Sequence, residues 1–83
     1  MLSTPPISVI IPSANRPTLA RTLRSCAWAD EIVLVFDAVE PPWHPDGCVV
    51  RAVGPSHDWG GTQRNLGIAC ASGSHLAFMD DDD

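Results

Sequence analysis

Ile7-Ser8-Val9-Ile10-Ile11, closed by Pro12, is a nearly unbroken apolar run rich in β-branched residues and too short for a buried helix. Runs of this kind suit strands covered on both faces, as in a parallel sheet. Ile32-Val33-Leu34-Val35-Phe36, closed by Asp37, repeats the pattern. Between them Pro17 suits a first helical position, and Leu19, Leu23 and Cys26 recur at i, i+4 and i+7. Ala20 and Ala27 widen that face, while Arg21 and Arg24 fall outside it. Further along, Cys48-Val49-Val50-Arg51-Ala52-Val53 is a third strand candidate, more mixed and therefore nearer an edge. His75-Leu76-Ala77-Phe78-Met79 is a fourth. Thr62 to Ser72 reads as a second helix stopped by Gly73, with Leu66, Ala69 and Cys70 on its face and Ile68 pointing away. Pro41 to Gly47 is a loop, since its three prolines exclude regular hydrogen bonding.

Strand, helix, strand, loop, strand, helix, strand is the order of a layered α/β unit, Rossmann-like, with a mostly parallel sheet of about four strands and two helices. In the doubly wound order 3-2-1-4 the sheet reverses direction between its first and fourth strands. Ligands bind at such a switch point, beyond the carboxyl ends of the strands. The segments leaving those two strands are Ser13-Ala14-Asn15-Arg16 and Asp80-Asp81-Asp82-Asp83, and Asp37 leaves the neighbouring strand on the same edge. Three polar features distant in sequence are thereby expected in one crevice.

With 83 residues the chain has room for one small domain and not for a two-domain enzyme. At 45% hydrophobic and 18% charged residues it is too apolar for disorder. Its net charge of -5 is concentrated: four of its ten acids are the last four residues, and the remaining six face five Arg. The acidity is thus a local cluster, and no basic stripe points to nucleic acid. The opening Met1-Leu2-Ser3-Thr4-Pro5-Pro6 lacks the charge and apolar run of a signal peptide, and no stretch approaches the ~20 apolar residues of a membrane span. Cys26, Cys48 and Cys70 are odd in number and widely spaced, which favours free thiols and a cytoplasmic setting.

Four adjacent carboxylates repel one another unless solvated or neutralised. Mg²⁺ or Mn²⁺ is the natural neutraliser, since such hard cations commonly take one or two carboxylates plus substrate phosphates. In an extended segment Asp80 and Asp82 project to one side and Asp81 to the other. The competing reading is a solvated acidic terminus; the apolar strand just before it argues for a positioned one. Asp37 is either a turn-starting residue or a ligand contact. Gly60-Gly61 can present N–H groups to an anion, although a plain loop is the better reading because no phosphate-loop motif is present. Arg64 and Asn65 cap or line the crevice, or face solvent. His44, His57 and His75 have no metal-binding spacing, and Trp28, Trp43 and Trp59 fit packing better than stacking on a base or sugar.

Four segments resemble family 2 glycosyltransferases of the GT-A fold. Ile7-Ser8-Val9-Ile10-Ile11-Pro12-Ser13-Ala14-Asn15-Arg16-Pro17 is similar to their opening V-S-V-I-I-P-T-Y-N-R. Asp30 to Asp37 resembles their second strand, usually ending V-V-D-D-G-S, and Gln63-Arg64-Asn65-Leu66-Gly67-Ile68-Ala69 resembles A-R-N-x-G-I. Ala77-Phe78-Met79-Asp80-Asp81-Asp82-Asp83 resembles F-L-D-x-D-D, which carries the D-x-D signature. The segments stand in family order and cover nearly the whole chain.

The resemblance implies a nucleotide-sugar donor, a divalent metal (Mg²⁺ or Mn²⁺) and inverting transfer of the sugar to an acceptor hydroxyl, whose identity stays open. By position, Asp37 is implied at the base, Asp80 at the ribose or sugar, and Asp82, with Asp80, at the metal bridging the diphosphate. Asp81 is the alternative for either role. The expected donor-binding set is Pro12, Ser13, Asn15, Arg16, Asp37, Arg64, Asp80 and Asp81. Lewis acidity at the diphosphate would stabilise the leaving group, and a base would deprotonate the acceptor. Ala14 stands where the family has Tyr, Phe36 replaces the first Asp of the second-strand pair, and Ala38-Val39 replaces Gly-Ser. The family domain continues into an acceptor-binding half that carries the base, so residues 1–83 are expected to be the donor-binding part of a longer enzyme. The rival expectations are a nucleotide-sugar or metal-binding module without turnover, or an inactive fragment. A related nucleotidyltransferase is disfavoured because no Gly-rich, cation-bearing loop follows the first strand.

Overall fold

The computed structural model describes residues 6–55 and 60–81. Six elements follow in chain order: β1 (Ile7–Ser13), α1 (Leu19–Ser25), β2 (Glu31–Phe36), β3 (Cys48–Ala52), α2 (Gly61–Cys70) and β4 (His75–Phe78). The four strands form one sheet in the order β3-β2-β1-β4, and every pairing is parallel. The architecture is α/β and Rossmann-like, with the reversal falling between β1 and β4 as the strand order read from sequence requires.

Alternation along the two central strands divides the core. Val9 and Ile11 of β1, with Leu34 and Phe36 of β2 and Val50 of β3, pack with Leu19 and Cys26 beside α1. Ile10, Val33 and Val35 face the other way and meet Leu66 and Cys70 of α2. The helices therefore cover opposite faces, as crossovers of one hand must when strand order reverses. The central runs lack polar alternation because both of their faces are buried. On β4, Ala77 packs on the α1 side while Leu76 and Phe78 are exposed.

The helices depart from the expected faces in instructive ways. In α1 the first turn is tightened, with helix starting at Leu19 after a Pro17–Thr18 turn. Leu19 and Cys26 are buried and Leu23 partly so, but Ala20 and Ala27 are exposed and Thr22 is fully buried in their stead. In α2 the helix begins at Gly61, behind a left-handed Gly60 (φ 86°), and ends at Cys70 because Ala71 is extended. Gly60 and Gly61 thus form the helix start and not a plain loop. Ile68 points outward as expected, whereas Ala69 is exposed; Gln63 and Gly67 form the buried face. Alanine is small enough to lie on either side, so its presence decides no face.

Gly67 lets α2 approach the sheet closely. A Cβ there would strike Cγ2 of Ile10, which is fully buried at the centre of β1. At the amino end of the sheet a polar clasp closes the unit. Glu31 Oε1 accepts from Ser8 Oγ (2.8 Å) and from the Ser72 N–H (2.9 Å), and Oε2 accepts from Ser72 Oγ (3.0 Å). Ser8 Oγ in turn accepts from the Gly73 N–H at 2.9 Å. This ties β2 to the turn that enters β4 across β1.

Two outcomes follow from this packing. Gly67→Ala gains up to about 1 kcal/mol of helix propensity but forces a methyl into Ile10, an overpacking cost of about 1–3 kcal/mol. A net loss of about 1 kcal/mol is expected in urea unfolding. The Glu31 carboxylate is held below its ordinary pKa, first by the Ser72 backbone N–H and then by Ser8. A depressed folded value means that the stabilisation is present above the unfolded pKa of about 4.3 and is lost as pH falls through the lower folded value. Thermal melts should therefore show a wild-type advantage over Glu31→Gln at pH 6 that disappears on acidification below about pH 4.

Candidate functional site

The carboxyl edge of the sheet gathers the residues leaving β1, β2 and β4. Pro12 and Ser13 lie opposite Val35 and Phe36 in the β1–β2 register. The Asp37 N–H donates to Ser13 O at 2.9 Å, so the chain leaving β2 stays bound to the end of β1. Met79 N–H donates to Ile10 O at 3.1 Å, extending the β4 pairing up to the acidic segment.

Asp81 is the most heavily engaged side chain of this edge. It is only 7% exposed, and its Oδ2 accepts from Ser13 Oγ and from the Ala14 N–H, both at 2.9 Å. Its Oδ1 lies 3.2 Å from Arg16 Nε. Its backbone carbonyl accepts from Thr18 Oγ1 (2.8 Å) and Thr22 Oγ1 (3.2 Å). The fully buried Thr22 hydroxyl thereby has a partner, as a buried donor requires, in the same carbonyl that accepts from Thr18.

Asp80 points the other way. Its side chain is 64% exposed and its Oδ1 lies 3.8 Å from Arg64 Nη2, a long ion pair between a residue of α2 and the end of β4. The alternation expected of an extended segment therefore holds for this pair, Asp80 outward and Asp81 inward. Asp82 lies outside the described residues.

Asn15 adopts a left-handed backbone (φ 59°), which Asn tolerates better than most residues. Its N–H donates to Ser13 Oγ at 2.9 Å, and its Oδ1 accepts from Trp43 Nε1 at 2.9 Å. Gln63 is buried, and its Nε2 donates to Val35 O (2.8 Å) and Ser13 O (3.2 Å), clamping β1 to β2 where the strands end. Thus Ser13, Asn15, Arg16 and Asp81 share one bonded cluster, the Arg64–Asp80 pair stands next to it along the chain, and Pro12 and Asp37 are joined to it through the strand ends. Gln63, Thr18 and Thr22 are the members that sequence reading passed over. The signals were present: Thr22 follows Leu19 by three residues on the apolar face, and Gln63 sits in the first turn after Gly60-Gly61.

Among the described residues no group of three or more His, Cys, Asp or Glu is arranged to hold a metal ion. The donor that the cluster presents outward is the Asp80 carboxylate. One hard oxygen donor of this kind is what Mg²⁺ or Mn²⁺ uses when phosphates and water complete its shell. His44 and His75 are exposed and take no part; His57 and Trp59 lie outside the described residues. Comparison with family models, with curated proteins and with solved structures finds no match to this chain.

The cluster sets a measurable order of importance. Asp81→Ala removes the acceptor of the buried Ser13 hydroxyl and of the Ala14 N–H and is expected to cost about 1–3 kcal/mol in chemical unfolding. Arg16 is largely exposed, so Arg16→Ala should cost less than about 1 kcal/mol. Equal losses for the two variants would show that the ion pair, and not the buried hydrogen bonds, holds the edge together.

Proposed function

We propose that the chain is the donor-binding part of a family 2-like glycosyltransferase, binding a nucleotide-sugar with Mg²⁺ or Mn²⁺ for inverting transfer to an acceptor hydroxyl. The observation that carries this reading is the placement of an outward carboxylate, Asp80, beside an inward one, Asp81, that binds the loop leaving β1. An acidic segment anchored at the switch point of a parallel sheet is where a ligand's phosphates and a neutralising cation would meet. Asp80 and Asp82 are proposed at the metal and diphosphate, Asp37 at the base, and Arg64 and the Ser13–Arg16 loop along the donor. The metal would supply Lewis acidity toward the departing diphosphate.

No helix of the described residues is long and apolar enough to cross a membrane. Cys26, Cys48 and Cys70 are free thiols, and burial pushes the Cys48 thiol above its ordinary pKa. Free thiols support the proposed cytoplasmic setting.

Calorimetric titration of a nucleoside diphosphate in the presence of Mn²⁺ tests the site. Binding should require the metal and should weaken at least about tenfold in Asp80→Asn and in Asp82→Asn, the scale of one charge-assisted contact. Metal-independent binding, or unchanged affinity in both variants, would remove the acidic segment from the site. Release of free sugar from a nucleotide-sugar would favour an enzyme over a binding module without turnover.

A further inference from the structure

The loop between β2 and β3 carries Trp43, a large apolar ring that remains 39% exposed. An indole in the core would be covered, and one on an untethered loop would leave its N–H to water. Here the N–H donates to Asn15 Oδ1 at 2.9 Å, fixing an exposed ring against the loop that leaves β1. The link continues: the Asn15 N–H donates to Ser13 Oγ, and Ser13 Oγ donates to Asp81 Oδ2, each at 2.9 Å. Three hydrogen bonds in series thus run from the indole to the acidic segment.

We propose that Trp43 is the stacking surface for the base of the bound nucleotide, a specificity-determining residue of the site; this rests on the nucleotide-donor reading above. Three features support it. Stacking needs a ring whose face is open and whose position is fixed, and Trp43 is both half-exposed and tethered. The tether ends on the strand-end loop at the ligand edge of the sheet, the same loop to which the Asp37 N–H binds through Ser13 O. Trp43 stands in the loop that follows β2 and Asp80 in the segment that follows β4, and β1 lies between those two strands in the sheet. Because a π face is common to all bases, the ring would contribute affinity for nucleosides in general, leaving selection among bases to the polar groups around it.

The test is calorimetric titration of the 83-residue chain with Mn²⁺ and either uridine diphosphate, guanosine diphosphate or inorganic pyrophosphate, in wild type, Trp43→Phe and Trp43→Ala. Loss of a base stack should weaken both nucleoside diphosphates about 5- to 150-fold in Trp43→Ala, with part of the affinity kept in Trp43→Phe, which has a ring but not the tether, and pyrophosphate affinity the same in all three. Unchanged nucleoside diphosphate affinity in Trp43→Ala overturns the stacking role and leaves the nucleotide reading standing. An equal fall for pyrophosphate also overturns it, because the ring would then act only by holding the loop. Wild-type binding of nucleoside diphosphates no tighter than pyrophosphate overturns both.

Discussion

A carboxylate removed from water must find partners, and Asp81 finds those of its carboxylate in the segment Ser13–Arg16 that leaves β1. Its side chain holds Ser13 and Ala14 at the end of β1, and its carbonyl holds Thr18 and Thr22 at the start of α1. Desolvating such a group without these donors would cost several kcal/mol, on the order of a large fraction of a small domain's stability. The last strand can therefore end in only one way, with Asp81 turned inward. Since neighbouring residues of an extended segment face opposite sides, the same constraint turns Asp80 outward. The geometry of the proposed site is thus a consequence of satisfying one buried group.

Polar residues buried in the sheet lie at its two ends, and each end has its own clasp. At the amino end Ser8, Glu31, Ser72 and Gly73 join β1, β2 and the approach to β4. At the carboxyl end Ser13, Gln63 and Asp81 join β1, β2, α2 and the segment after β4. Between them the strands are apolar on both faces and hold no buried side-chain polar atom without a partner among the described residues. With so small a core, the edges decide how the strand ends are oriented, and strand ends are where ligands bind in such sheets.

The strands were legible because Ile7–Ile11 and Ile32–Phe36 state their two-sided burial in nearly unbroken apolar residues, whereas their order was assumed from the doubly wound arrangement and is the one observed. The inward turn of Asp81 was accessible only as half of an alternation, without its partners. Thr22 and Gln63 stayed hidden because pattern reading places polar side chains outside, whereas both are buried to satisfy carbonyl groups of another segment. Which carbonyl is orphaned depends on tertiary placement and leaves no periodic trace. Ala20, Ala27 and Ala69 misled for the opposite reason, being apolar by type yet too small to require burial. For Trp43 the residue type suggested packing in core or loop, and the structure ties it to the loop leaving β1 through Asn15, a partner the sequence pattern does not reveal.

Adjacent residues of one acidic run thus meet opposite physical conditions. Asp80 and Arg64 form a long pair of 3.8 Å between side chains that both reach solvent, a contact worth at most about 1 kcal/mol. Such a pair neutralises charge locally but can exchange its partner for a cation or a ligand hydroxyl at little cost. Asp81 cannot, because beside its pair with exposed Arg16 it accepts from the buried Ser13 hydroxyl, which would be stranded, and from the Ala14 N–H. A site needs both kinds of group: one whose bonds are fixed, so that the segment has a defined position, and one whose bonds are labile, so that a ligand can replace them. Two identical neighbours, Asp80 and Asp81, supply both only because the strand before them dictates which side each one faces.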